Sequence, residues 1–294
     1  MASAPPSTVP DPLAAAGLAP ERVNYATGVL LQADDFLDEQ TYHRGRLAMA
    51  LRHLVGFGTI AGLAVRAPAA KDADLELHVD PGVALDRLGR LIEIGEPYCI
   101  RLARWFAAQD TGALDAAVHR GPKPTDVNLV ADIFLSAADC GRGNTPSFAS
   151  GPFDALDALV PARLAEQPQL DLILRAEGPG APPAPKNFWP AAGAKPADML
   201  AAVLGSFDTG LAGGADDGPV ALQEQVEGND LTALFLARIS IPVTLDPKAP
   251  AGTRAVLDLT RPTSVDNSLR PFIFLPGKWL GGAAAAVKLI DPAS

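Results

Sequence analysis

The stretch VDPGVALDRLGRLIEI, residues 79–94, determines the fold class predicted for this chain. It contains short alternating apolar runs on both sides of a turn sequence around Gly89, and Asp80-Pro81-Gly82 has the composition of a second turn. Alternation at a period of two places one face of a strand in a core and the other in solvent. The stretch therefore predicts antiparallel strands joined by tight turns.

Similar strand patterns lie on both sides of this stretch. TIAGLAVRA (59–67), LELHVDPG (75–82) and YCIRLA (98–103) extend it into a set of antiparallel hairpins over residues 59–102. The further elements are strands at 126–137, 169–177, 231–245 and 254–260, a helical patch from Arg101 to His119, a short helix from Ala197 to Leu204, and loops at 178–196 and 209–219. The predicted class is a β-rich α+β fold of antiparallel hairpin sheets with one long N-terminal amphipathic helix and a few short helices.

The long helix is predicted from Asp34 to Val55, roughly 22 residues or about 33 Å. Acidic side chains come first and basic ones later, which offsets the helix dipole at both ends. Asp34 or Asp35 is a candidate N-cap, and Gly56 with Gly58 supplies the stop. The apolar side chains lie close to helical spacing, so we expect the helix to pack on the hairpin sheet through Phe36, Leu47, Leu51 and Leu54.

Three regions follow from these patterns. Residues 1–20 are rich in alanine and proline and read as a flexible N-terminal arm. Residues 21–120 form a helix plus β-hairpin domain. Residues 121–294 form a β-rich region with long Pro/Gly loops, and the sequence leaves open whether it is continuous with the preceding domain.

Composition limits the classes of partner. Apolar residues make up 48% of the chain, and 34 acidic against 24 basic side chains give a net charge of −10. Because such a surface repels phosphate backbones, nucleic acid is not an expected partner. The first twenty residues carry no Lys or Arg, unlike a signal peptide, and no apolar run approaches the ~20 residues of a membrane span. We expect synthesis in the cytoplasm and no stable membrane insertion.

Motifs for catalysis or cofactor binding are missing from the sequence. The two cysteines, Cys99 and Cys140, and the four scattered histidines have no local metal-ligand spacing. Carboxylate pairs such as Asp80 with Asp86 occur where turns and helix starts favour aspartate. We therefore expect no catalytic residue, no cofactor and no metal, and a hydrolase with a dispersed site is a minor alternative.

Several segments resemble a known family of structural subunits. NYATGVLLQADDFLDEQTYHRGRL (24–47), HLVGFGTIAGLAV (53–65) and residues 79–94 resemble subunits of contractile phage-tail-like injection particles. The likeness continues at 161–174, 234–243 and 265–272, and the opening motif is also similar to the type VI secretion baseplate adaptor. The motif residues are Tyr25, Gly28, Leu30, Leu31, Asp35, Phe36, Tyr42 and His43.

The resemblance implies a non-catalytic structural component at the baseplate or another end of such a particle. It would be multimeric there, would contact other subunits of a large protein assembly, and would belong to a particle that is released or docked at a membrane. The candidate contact residues are Tyr25, Leu30, Leu31, Asp34, Asp35 and Asp38. The alternative is a receptor- or glycan-binding module at a particle tip, with NFWP (187–190) as the exposed aromatic loop.

Overall fold

A computed structural model describes residues 8–9, 11, 13, 21–68, 75–121, 127–146, 159–177, 181–185, 195, 221–245 and 255–273. This part of the chain contains three helices and thirteen strands. The helices are α1 (Ala33–Val55), α2 (Leu102–Ala108) and α3 (Thr111–Ala116). The strands are β1 (Thr8–Val9), β2 (Gly58–Gly62), β3 (Val65–Arg66), β4 (Glu76–Val79), β5 (Gly82–Leu85), β6 (Leu91–Ile94), β7 (Tyr98–Arg101), β8 (Val118–Arg120), β9 (Val127–Pro146), β10 (Leu159–Leu174), β11 (Leu234–Thr244), β12 (Val256–Leu257) and β13 (Ser264–Asp266).

The largest sheet has seven strands arranged around β9. One side of β9 pairs with β8 and β10, and the other side pairs with β11 and β1. Strands β12 and β13 pair with β11. All of these pairings are antiparallel, which confirms the predicted β-rich antiparallel character.

Two three-stranded sheets are built from residues 58–101, in the orders β2-β5-β6 and β3-β4-β7. Strands β5 and β6 pair through the turn around Gly89, so the predicted hairpin in the opening stretch is confirmed. The strand before it, β4, pairs with β3 and β7 instead of β5. The chain therefore crosses from one small sheet to the other three times, after β2, β4 and β6, which a simple series of hairpins does not describe.

The predicted helical patch from Arg101 to His119 is divided in two. Helix α2 ends at Ala108, and Asp110 starts α3 as its N-cap, its side chain accepting from the N–H groups of Gly112 at 2.8 Å and Ala113 at 3.2 Å. The strands at 126–137 and 169–177 are longer than expected, since β9 and β10 run to 20 and 16 residues. The predicted helix at 197–204 and loop at 209–219 lie outside the described residues.

A single cluster of buried apolar side chains joins the large sheet to both small sheets. It includes Leu77 of β4, Leu102 of α2, Leu129 of β9 and Ile239 of β11, each 0% exposed. The same core thus receives side chains from both sides of the division predicted at residue 120.

The segment 264–273 connects the sheets by hydrogen bonds. The Asn267 side chain bonds both the N–H and the carbonyl of Val65 at 2.9 Å. Buried Arg270 donates to the carbonyls of Leu236 in β11, at 2.9 Å, and Gly62 in β2, at 3.0 Å. Its removal from water lowers the pKa of Arg270 to about 10.

Candidate subunit-contact surface

Helix α1 starts one residue earlier than predicted, and Gln32 is its N-cap. The N–H of Gln32 donates to Asp35 Oδ2 at 2.7 Å, so Asp35 stabilises the helix start from the third helical position. Neither Asp34 nor Asp35 is the N-cap, because the helix begins at Ala33. At the other end, the helix stops at Gly56, which has a φ of +79° as a glycine stop requires.

The side of α1 that faces the body carries small and charged residues. Ala48 is the buried residue of this helix. Its carbonyl oxygen lies so close to Gly89 that a Cβ added to Gly89 would be only 2.0 Å from that oxygen. One turn earlier, Arg44 pairs with Asp11 at 3.4 Å, Asp139 at 3.7 Å and Glu166 at 3.3 Å. The helix is therefore held by a close backbone approach and by ion pairs.

The apolar side chains expected to pack on the sheet are instead mostly exposed, and they lie about a quarter of a turn away from Ala48 and Arg44. Phe36 is 51% exposed, Leu47 62% and Leu54 78%, while Leu51 is half-buried. At about 100° per residue, Phe36, Leu47 and Leu54 fall within about 20° of one line, which we call the outer stripe. The predicted packing is wrong and the amphipathic character of the helix is not confirmed. Periodicity reveals an apolar stripe but does not indicate which surface covers it.

The segment before the helix, residues 24–31, is mostly exposed. Gly28 has a φ of +88° in a turn closed by the bond from Val29 N–H to the Ala26 carbonyl, 3.3 Å. Leu30 is 84% exposed and Leu31 is half-buried, so the two adjacent leucines face different surroundings.

Tyr25 lies beside the start of α1. Partial desolvation and then the negative charges of Glu39 and Asp35 raise the pKa of Tyr25. One turn along the helix, His43 Nε2 lies 2.9 Å from Glu39 Oε1, and the His43 ring meets the Tyr42 ring edge-on at 5.3 Å. The structure thus groups Tyr25, Asp35, Glu39, Tyr42 and His43 along the first half of the helix.

The three predicted acidic contact residues differ in availability. Asp34 and Asp38 are exposed, whereas Asp35 is half-buried and bonded to the helix start. Two exposed carboxylates therefore lie near the apolar side chains of Leu30 and Phe36.

Part of the predicted flexible arm is bound to the domain. Thr8 and Val9 form β1 against Cys140 and Asp139 of β9. Asp11 accepts from Arg90 Nη1 at 2.9 Å, and Arg90 Nε bonds Asp86 at 2.6 Å. Burial raises the pKa of Asp86, and Arg90 opposes this shift. Sequence reasoning missed the pairing of Arg44 with Asp11, which holds α1, and of Asp11 with Arg90, because Asp11 was assigned to the flexible arm and the helix charges were explained by the dipole alone.

A second polar region lies in the large sheet. Asp132 is fully buried between Arg238, 2.7 Å away, and Arg175, 3.2 Å away. Burial raises the pKa of Asp132, while the hydrogen bond from Arg238 opposes this. Arg238 also bonds the carbonyls of Pro182 and Pro183 and borders an open cleft of about 400 Å³. These charges are matched to one another across adjacent strands, as in a structural network.

Comparison with known proteins does not assign a family. Models of known protein families do not match this chain, and neither do curated proteins. In the described part of the chain, no helix has both the length and the apolar character needed to cross a bilayer. The aromatic loop at 187–190 lies outside the described residues.

Proposed function

We propose that this chain is a non-catalytic structural subunit of a contractile, phage-tail-like particle, located at the baseplate or another end of the particle. The observation that supports this proposal is the outer stripe, an exposed apolar line on a helix that is already bound to the domain through another face. Large apolar side chains exposed along one line of a helix are a feature of protein interaction sites. The motif that resembles the family, residues 24–47, lies on this same element.

The partner that fits is a neighbouring subunit with an apolar groove. A helix that presents its apolar line to a groove binds through anchors spaced by whole turns, which is the spacing of Phe36, Leu47 and Leu54. Leu30 extends the apolar surface beyond the helix start. Asp34 and Asp38 favour lysine or arginine beside the groove, since complementary charge guides association and fixes orientation.

The test compares two charged variants of the same helix. The double variant Leu47→Glu, Leu54→Glu places charge on the outer stripe. Met49→Glu is the matched control, because Met49 is an exposed apolar residue of α1 that lies away from that line. Both variants should unfold within about 0.5 kcal/mol of the parent chain, as surface substitutions do.

We expect the double variant to be lost from particles that sediment from the producing cells, while Met49→Glu is incorporated normally. The chain is detected in the particle fraction by immunoblotting. Normal incorporation of a correctly folded double variant, or equal loss of both variants, would contradict the proposed contact.

A further inference from the structure

The outer face of the β3-β4-β7 sheet brings together three metal-binding side chains. Glu76 and His78 are two residues apart on β4 and point to the same side of the sheet. Cys99 on β7 lies directly opposite His78 in the register. Leu77 and Val79, which point to the other side, are fully buried in the core. The backbone that carries the cluster is therefore held rigidly.

The distances within this cluster are close to those of a zinc site. Cys99 Sγ lies 3.1 Å from His78 Nδ1, and the donor atoms of Glu76, His78 and Cys99 all lie within 4.8 Å of one another. Zinc binds sulfur at about 2.3 Å and nitrogen at about 2.0 Å, so two tetrahedral ligands stand about 3.5 Å apart. Small side-chain rotations of these partly exposed residues bring all three donors to a common ion.

We propose that Glu76, His78 and Cys99 bind Zn²⁺ as three protein ligands, leaving the fourth coordination position open to solvent. A thiolate with an imidazole favours zinc over Mg²⁺ or Ca²⁺, which prefer sites made wholly of oxygen. Binding converts the Cys99 thiol to a thiolate and releases its proton to solvent, with no change in oxidation state. The ion would link β4 to β7 across the sheet.

Arg101 competes with the ion for Glu76. It lies opposite Glu76 in the register, and Arg101 Nε bonds Glu76 Oε1 at 3.1 Å. Both groups are at the surface, where an ion pair contributes little and is readily exchanged. On the neighbouring strand β3, Arg66 lies opposite His78 in the register and forms an ion pair with Asp80 at 2.7 Å. Arg101 is thus one positive charge that zinc must displace.

No local spacing in the sequence indicates this site. His78 and Cys99 are 21 residues apart along the chain, and only the pairing of β4 with β7 makes them neighbours. The expectation of no metal rested on the absence of short ligand motifs.

The experiment is titration of the reduced full chain with Zn²⁺ by calorimetry, and with Co²⁺ by absorption spectroscopy. We expect one Zn²⁺ per chain at micromolar affinity or tighter, and a thiolate-to-cobalt charge-transfer band. Cys99→Ser should abolish the band, and Cys99→Ser and His78→Gln should each weaken zinc binding by more than about 100-fold, since loss of an outer-shell partner alone costs 10–100-fold. The matched controls Cys140→Ser and His53→Gln should bind as the parent chain does.

The variant Arg101→Gln should change the affinity for zinc in the opposite direction. Removal of the competing charge should tighten zinc binding by roughly five- to tenfold. Failure of the parent chain to bind Zn²⁺ stoichiometrically would overturn the proposal. So would a cobalt band that survives in Cys99→Ser, or zinc binding that Arg101→Gln weakens.

Discussion

At the scale of single residues, two glycines with nearly the same backbone angle have different neighbours. Gly89 has a φ of +89° and Gly28 a φ of +88°. A Cβ on Gly89 would lie 2.0 Å from the Ala48 carbonyl oxygen, whereas a Cβ on Gly28 would have nothing within 4 Å. Gly89 therefore allows both the turn and the close approach of α1, whereas Gly28 allows only the turn.

We expect Gly28→Ala to lower the free energy of unfolding by about 1 kcal/mol, the cost of a left-handed conformation for a residue with a Cβ. Gly89→Ala should cost about 2–4 kcal/mol, because α1 must also move away from the β5–β6 turn. Denaturant unfolding of both variants measures the difference. Equal losses would show that the helix does not lie against this turn in solution.

At the scale of elements, local patterns predicted the positions of most strands and both ends of α1. The charge order, Gly56 and the alternating runs are local signals, and they mark elements close to where the structure has them. Pairing partners are not local. Nothing in LELHV or YCIRL indicates that β4 pairs with β7, so the interleaved sheets and the cluster of Glu76, His78 and Cys99 were not predicted. The same limit applies to the outer stripe: the sequence shows the helical spacing of its apolar residues but not which surface, if any, packs against them.

The turn after β12 gives an element-scale prediction about acid stability. Asp258 accepts from the hydroxyl of Thr260 at 2.6 Å and from Arg261 Nε at 2.7 Å. Arg261 in turn donates to the carbonyls of Val127 at 2.7 Å and Val243 at 3.0 Å, which ties this turn to β9 and β11. The Thr260 hydroxyl, followed by Arg261, lowers the pKa of Asp258 to about 2.

Because this pKa is lower in the folded chain than the value of about 3.9 in an unfolded chain, the ionised carboxylate stabilises the fold. That contribution is complete above about pH 5 and is lost as the pH falls through about 2. We expect Asp258→Asn to lose less stability than the parent chain over this range, and Thr260→Ala to be intermediate. Urea unfolding at several pH values measures this. Parallel pH profiles for the parent and Asp258→Asn would contradict it.

At the scale of the whole molecule, the segment 264–273 makes the large sheet and the small sheets one structure. The Thr59 N–H donates to the Pro271 carbonyl at 2.8 Å, and the Ile273 N–H donates to the Thr59 carbonyl at 2.9 Å. Arg270 bonds β2 and β11 at once and also donates to the Asn267 side chain. The bonds to Thr59 and Gly62 join residues that are more than 200 positions apart in the sequence, so the sheets depend on each other for stability.

Arg270→Met tests this dependence, because methionine fills space similar to that of the arginine stem but donates no hydrogen bond. The carbonyls of Gly62 and Leu236 would remain buried without a donor, and we expect a loss of about 3–5 kcal/mol in the free energy of unfolding. Arg66→Met is the control: it removes an exposed arginine from an ion pair and should cost less than about 1 kcal/mol. In native-state hydrogen exchange, Arg270→Met should reduce protection in both β2 and β11 by the same free energy, because an opening that breaks the link exposes both strands. If protection falls in β2 while β11 keeps that of the parent chain, the two sheets unfold independently and the segment 264–273 only lies between them.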